Sequence, residues 1–477
     1  MVLRGLAKDS AIYGGADLAS KIVALFAFPL IAAALHPADF GSLELVLTVT
    51  TLLGLVASCG LNNALQRFYW DPDTAPQQQP ALVSSGLAAL AFNCVLALLL
   101  GALVSLACAP LLAQLQFPIS TAGLLAALLL MTCTQLGQYL LDVTRLHRAP
   151  WRFMMVSLVS RVLASMAGVL AVVWLGWGLD GLLVLQALVA FLALPLAMLV
   201  VRRDLRLSID RRSIRQLLQF GHPFVYVGLA YWQFGVMDRW LLASISSMQE
   251  VGLYAVGYRF ATIVMFVSLA FGQAWSPLAM KILADHPQQY RAIYANVLLV
   301  LFFAVLMLSG AVALFAGEAL SLLMPPAYAG AALPLAVLGL GVALQATQQV
   351  TAVGISLEKK TYLFVRLSWL SVLMNLLLNL ALIPSFGALG AAWATALTYL
   401  ALTSAYLYYT QKLHPLPLDW RRMTGLGAAW MVLAIAATLL QSSSLSAGLV
   451  AIKLAILLGI ALACALLAPW KALRHAR

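Results

Sequence analysis

The chain has 477 residues, 63% of them hydrophobic and 9% charged, with a mean hydropathy of +0.97. A soluble domain carries about 25% charged and roughly 45–50% apolar residues, so a water-soluble globular enzyme and a disordered chain are both excluded. A net charge of +12 would suggest nucleic acid only on a soluble surface, and here the sidedness of the cations matters more than their sum.

At roughly 20 apolar residues per crossing, the apolar runs read as transmembrane helices. Fourteen are expected, near 10–35, 40–65, 82–113, 119–141, 153–176, 179–201, 217–245, 250–276, 293–316, 333–356, 367–385, 388–411, 424–441 and 447–469. The runs are continuous, as in Val95 to Leu100, whereas a membrane β-barrel would alternate. The first run follows Arg4 and Lys8, contains Asp17 and Lys21, and is too long for a signal-peptide core, so it reads as an uncleaved span. The five cysteines lie in apolar stretches with no CxxC pair, which gives neither a disulfide framework nor a metal site.

Of the 28 Lys and Arg residues, 23 fall in the termini or in loops after even-numbered spans, and the other five lie within spans. Loops after odd-numbered spans hold none. This asymmetry places both termini in the cytoplasm and leaves nucleic acid without a role. The segment 202–216 (RRDLRLSIDRRSIRQ) is the cytoplasmic linker expected between two lobes.

A shift of 211 residues lays Leu146 on Leu357, Arg148 on Lys359, Trp151 on Tyr362 and Phe153 on Phe364. A shift of 209 lays Gly178 and Gly181 on Gly387 and Gly390. These matches predict two homologous halves of six spans in parallel orientation, related by an axis along the membrane normal. The expected fold is therefore an all-α integral membrane protein with 14 transmembrane helices, in two pseudo-symmetric six-helix lobes plus two C-terminal helices. Its parts are an N-lobe (1–201), the linker (202–216), a C-lobe (217–411) and a final pair of spans with a tail (412–477).

Three stretches carry a family resemblance. They are Asn375-LLLNLALIPSFGALGAAWATALTY-Leu400, Pro37-ADFGSLELVL with Gly60-LNNALQRFY-Trp70, and Phe220-GHPF…MDRWLLA…EVGLYAVGYRF-Ala261. Together they resemble the polysaccharide and oligosaccharide flippases of the lipid-linked O-antigen repeat unit type. That superfamily also includes multidrug and toxin extruders and lipid II flippases. The resemblance implies two lobes around a central cavity that opens alternately inward and outward in the bacterial inner membrane. It implies undecaprenyl-diphosphate-linked oligosaccharide as substrate, with membrane lipid, a polysaccharide polymerase and glycosyltransferases as partners.

The charges inside spans are weighed separately. Each costs about 2.5–3.5 kcal/mol at the bilayer centre, so it is expected to face a partner or a cavity. Lys21, Arg161 and Arg259 lie deep. Arg239 and Lys453 lie nearer the outer face, where they either snorkel or line the cavity. Asp17 and Lys21 share a helix face, as a self-neutralising pair or as a polar stripe. Asp238 and Arg239 should point about 100° apart. Asp180 and Glu250, at span ends, read as surface residues. Cations outnumber the embedded anions Asp17, Glu44 and Asp238, which suits a lipid diphosphate better than a cationic drug.

Gln135, Gln138 and Tyr139 in span 4, Gln345, Gln348 and Gln349 in span 10, and Asn375 and Asn379 in span 11 serve either interhelical hydrogen bonds or sugar hydroxyls. The candidate substrate residues are Arg259, Arg161, Lys21, Arg239, Gln138, Gln349 and Asn375. The candidate ion-coupling residues are Asp17, Glu44 and Asp238. No Walker A motif is present, so a proton or sodium gradient is the expected energy source, with no catalysis, cofactor or bound metal. A cation-coupled multidrug extruder and a lipid II flippase are the alternatives.

Overall fold

The computed structural model describes residues 19–467 apart from 21, 72–73, 76, 115, 148, 207, 359, 361 and 443–445. Every regular element among the described residues is helical. Hydrocarbon offers the backbone no partners, and a helix satisfies its own amides and carbonyls.

The first half comprises α1 (Ile22–Ala33), α2 (Pro37–Ser58), α3 (Leu61–Phe68), α4 (Gln79–Gln114), α5 (Thr121–Leu146), α6 (Pro150–Val169) and α7 (Gly178–Val200). It is followed by α8 (Arg211–Ile245) and α9 (Met248–Asp285). Next come α10 (Tyr290–Leu314), α11 (Ala316–Leu323), α12 (Ala332–Ala346), α13 (Gln348–Thr351) and α14 (Val353–Leu357). The last are α15 (Tyr362–Leu413), α16 (Trp420–Leu439) and α17 (Ala447–Leu467). The second to fourteenth expected spans fall on these helices, the tenth on three of them (α12, α13 and α14), and the first lies partly outside the described residues. Among the described residues, nine helical stretches are long and apolar enough to cross a membrane. The protein is a multi-pass membrane protein.

The eleventh and twelfth expected spans are joined in α15, which breaks at Gly387 (φ 52, ψ −129). Only glycine adopts that backbone without strain. The break frees the amide of Ala388, which donates to Glu250 Oε2 at 2.6 Å. Glu250 is thus no idle surface residue: it caps the second half of α15, where the helix dipole favours an anion. Asp180 is likewise engaged, accepting from the Ser120 amide at 2.9 Å beside the start of α5. Gly178, the repeat partner of Gly387, also has positive φ (61), so the sequence repeat extends to backbone geometry.

The chain divides into two compact units, Met1–Val236 and Met237–Arg477. This boundary falls inside α8, later than the 202–216 segment that the sequence suggests. The reason is that 202–216 is bolted to the first unit. The Arg206 amide donates to Ser84 Oγ and the Asp210 amide to Ser85 Oγ, both at 2.8 Å.

In the first unit α5 packs on α7, α4 and α2, around a core that includes Leu61, Leu90, Tyr139, Leu140 and Phe153. One face of α4 stays apolar yet exposed (Phe92, Leu99, Leu103), as a lipid-facing surface should be. Gly60 and Gly221, from two of the resemblance stretches, press backbone to backbone, so a Cβ on either would collide with the other. In the second unit α12 is buried nearly all round, between α9, α10 and α15. Helices α16 and α17 pack on α10, and the Trp430 indole donates to the Leu340 carbonyl at 3.1 Å.

Candidate functional site

The most concentrated polar group of the second unit is built on α8, α9 and α15. Asp238, near the end of α8, is buried and accepts three hydrogen bonds. Its donors are Tyr254 Oη (2.5 Å), Thr395 Oγ1 (2.9 Å) and Asn379 Nδ2 (2.7 Å). Asn379 Nδ2 also reaches Asn375 Oδ1 at 3.0 Å, and Asn375 donates to Thr398 Oγ1 at 3.4 Å. The carbonyl oxygen Oδ1 of Asn379 is buried and accepts from no described residue. Asn375 and Asn379 are one turn apart, so their amides share a face of α15.

Arg239 is buried as well, so it does not snorkel. Its guanidinium lies 5.7 Å from the ring of Tyr254 and 5.0 Å from that of Tyr258. Asp238 and Arg239 therefore share one partner despite their angular separation: Tyr254 gives its hydroxyl to one and its ring face to the other. Asn375, one of the candidate substrate residues, is buried in the same group.

The first unit holds a second cluster. Arg161 on α6 donates to Gln138 Oε1 at 3.3 Å, and Gln138 Nε2 donates to Asp142 Oδ1 at 3.1 Å. Asp142 is buried and also accepts from Asn62 (2.7 Å) and Arg145 (3.0 Å). Two expected substrate residues, Arg161 and Gln138, are thus in contact. The sequence reading missed Asp142, because the fourth span was ended one residue before it. The i, i+4 spacing from Gln138 to Asp142 was the available signal.

The remaining candidates are dispersed. Glu44 is buried on α2. Arg259 is half-buried on α9, one residue beyond Tyr258. Gln349 is exposed and lies against Gly272 of α9. Asp17 and Lys21 lie outside the described residues. Lys453 does not snorkel: it is fully buried and paired with Glu318 at 2.5 Å.

Each unit also carries a Tyr–His–carboxylate clasp near the ends of its helices. In the first, His147 Nε2 lies 2.8 Å from Asp204 Oδ1 and 3.1 Å from the hydroxyl of Tyr69, which donates to Asp204 at 3.1 Å. Burial and the adjacent Asp204 push the Tyr69 hydroxyl well above its usual range, so it remains a donor. In the second, His414 Nε2 lies 2.9 Å from Tyr290 Oη, and its Nδ1 lies 3.3 Å from Glu358 Oε1. A shift of 211 lays His147 on Glu358 and one of 210 lays Asp204 on His414, so the two copies hold histidine and carboxylate in exchanged positions. The double variant His147→Asp/Asp204→His is accordingly expected to recover most of the thermal stability that His147→Asp loses. A coupling of about 0.5–3 kcal/mol in a double-mutant cycle is the expected reading, and strict additivity would contradict it.

The model of the polysaccharide biosynthesis protein family matches residues 6–283. The chain belongs to this family. Among curated relatives, the probable low-salt glycan biosynthesis flippase Agl15 of Haloferax volcanii is 25% identical over 206 residues. That alignment spans 42% of this chain and 42% of the relative, less than half of either. The fold extends further than the sequence likeness. The lipid II flippase MurJ, in an inward closed conformation, superposes with a TM-score of 0.71 at 12% identity, covering 96% of this chain and 98% of that one. A mutant of the Vibrio cholerae MATE transporter VcmN gives 0.52 at 16% identity, covering 85% and 98%. An inward-facing multidrug resistance MATE transporter of the MOP superfamily gives 0.56 at 13%, covering 86% and 96%. The all-helical membrane fold read from the sequence is the one this family member has, and it is the fold of these three solved structures.

Proposed function

We propose that the protein is a flippase that moves an undecaprenyl-diphosphate-linked oligosaccharide from the cytoplasmic to the outer leaflet of the bacterial inner membrane by alternating access. Both termini face the cytoplasm. Membrane lipid accommodates the polyprenyl tail, glycosyltransferases supply the substrate and a polysaccharide polymerase consumes it.

The observation that carries this reading is Arg161. A guanidinium deep in a span is costly, yet here it is half-buried and oriented by the Gln138–Asp142 relay. Guanidinium forks match diphosphate oxygens, and the neighbouring amides match sugar hydroxyls. Arg259 is the corresponding deep cation of the second unit.

The Asp238 group supports an ion gradient as the energy source. It gathers one carboxylate, two amide oxygens and two hydroxyls, all hard oxygen donors of the kind that alkali and alkaline-earth cations prefer. The Asn379 Oδ1 that accepts from no described residue fits a transported cation such as sodium.

The test is complementation of glycan export in a strain lacking its own flippase. Arg161→Ala and Arg259→Ala should each lower export about 10- to 100-fold, the loss of a charged hydrogen bond, while the protein still inserts. Normal export from both variants would overturn the anionic-head assignment.

A further inference from the structure

We propose that segment 202–216 is a preorganised cationic strip that binds anionic phospholipid headgroups of the cytoplasmic leaflet. Six arginines (Arg202, Arg203, Arg206, Arg211, Arg212 and Arg215) are all exposed, and among the described residues none makes a side-chain ion pair. The two acids of the segment are occupied internally. Asp204 is buried under Tyr69 and His147. Asp210 caps α8, accepting from the Arg212 and Ser213 amides and the Ser213 hydroxyl. Asp210 also attracts Arg212, but six arginines against two aspartates leave the segment a net charge of +4.

The strip is also fixed in place. Ser84 and Ser85 hold its backbone, while Leu205, Ile214, Leu217 and Leu218 pack into the core of the first unit. A flexible loop would lose entropy on binding a surface, whereas this one presents its cations already ordered. Arg211, Arg212 and Arg215 occupy the first turns of α8, where cations oppose the helix dipole and weaken the helix. Helix stability therefore does not account for them. Sidedness alone is also served by the cations at 145–152 and 412–422. Because 202–216 joins the expected sixth and seventh spans, the strip is expected at headgroup level, with exposed Ile209 beside it to enter the interface. Clustered arginines next to a membrane helix are attracted to anionic lipid within a Debye length.

Native mass spectrometry of the purified full-length protein, titrated with phosphatidylglycerol and separately with phosphatidylcholine, tests this. The wild type should retain phosphatidylglycerol preferentially. The variant Arg206→Gln/Arg211→Gln/Arg212→Gln/Arg215→Gln should reduce that retention about tenfold or more. Lysines at the same four positions should preserve it, and Lys412→Gln/Arg421→Gln should leave it unchanged. Equal loss from this control pair, or no loss from the quadruple glutamine variant, overturns the proposal. Should the glutamine variant fail to insert, wild type decides: retention that does not fall between about 50 and 500 mM salt counts against it. Competition by millimolar inorganic phosphate would point to a site for free phosphate instead. Retention of a polyglutamate peptide without phosphatidylglycerol would point to an acidic protein partner. Either result overturns the lipid assignment.

Discussion

Asp238→Asn is expected to stop glycan export while leaving the protein folded and inserted. The wild-type carboxylate takes three donated hydrogen bonds in a fully buried setting. Asparagine keeps the shape and one acceptor oxygen, so Tyr254 and Thr395 retain a partner. Its new amide would face the Asn379 amide, but Asn379 can turn and offer Oδ1, which accepts from no described residue. What is lost is the negative charge. Removing a charged ligand is worth about 1.5–3 kcal/mol, or roughly 10- to 150-fold in ion affinity. Two measurements separate this from misfolding. Wild-type melting temperature should rise with sodium at constant ionic strength, because a ligand that binds only the folded state stabilises it. Asp238→Asn should melt near the sodium-free wild type and not respond. Normal export from this variant would remove Asp238 from the coupling path. A pH-dependent but sodium-independent wild type would make the proton the coupling ion.

The helices were legible in the sequence because each is a long apolar run, and insertion energetics allow few other forms. The break at Gly387 was legible as the gap between the eleventh and twelfth expected spans, although not the carboxylate that caps it. Sites were harder to read. Single-residue rules located Asp238, Arg239 and Asn375, but not their shared cluster, which depends on Tyr254 and Thr395 from other helices. The angular argument that separated Asp238 from Arg239 holds for their own helix. It fails for the site because one tyrosine serves both. Asp142 was lost to a span boundary placed one residue short. The exchanged His–carboxylate clasps leave no identity match between the two halves, since the repeat sets His147 against Glu358.

Lys453 and Glu318 were the least legible pair, 135 positions apart, and they carry the largest expected stability effect. Lys453 on α17 is fully buried and Glu318 on α11 nearly so. The ammonium also lies 5.7 Å from the ring of Phe315. Nearby, Gln441 clasps the Gly317 amide (3.0 Å) and the Ala313 carbonyl (2.7 Å), so several polar contacts tie the end of α10 and α11 to the last two helices. Desolvating two ions offsets much of their attraction, so the pair itself adds little net stability. Removing one partner is a different matter. Lys453→Met leaves a buried carboxylate whose Oε2 already accepts from no described residue. The expected cost is about 3–5 kcal/mol, with α17 released from α11. Glu318→Gln strands the ammonium in the same way. Lys453→Met/Glu318→Leu removes both charges and should recover most of the loss, because apolar replacement of a buried ion pair is close to neutral. Thermal unfolding in detergent, with protease accessibility of the segment from 440 onward, reads both effects. If the double variant is as unstable as Lys453→Met, the ion pair itself holds α17, and its net contribution is larger than desolvation allows.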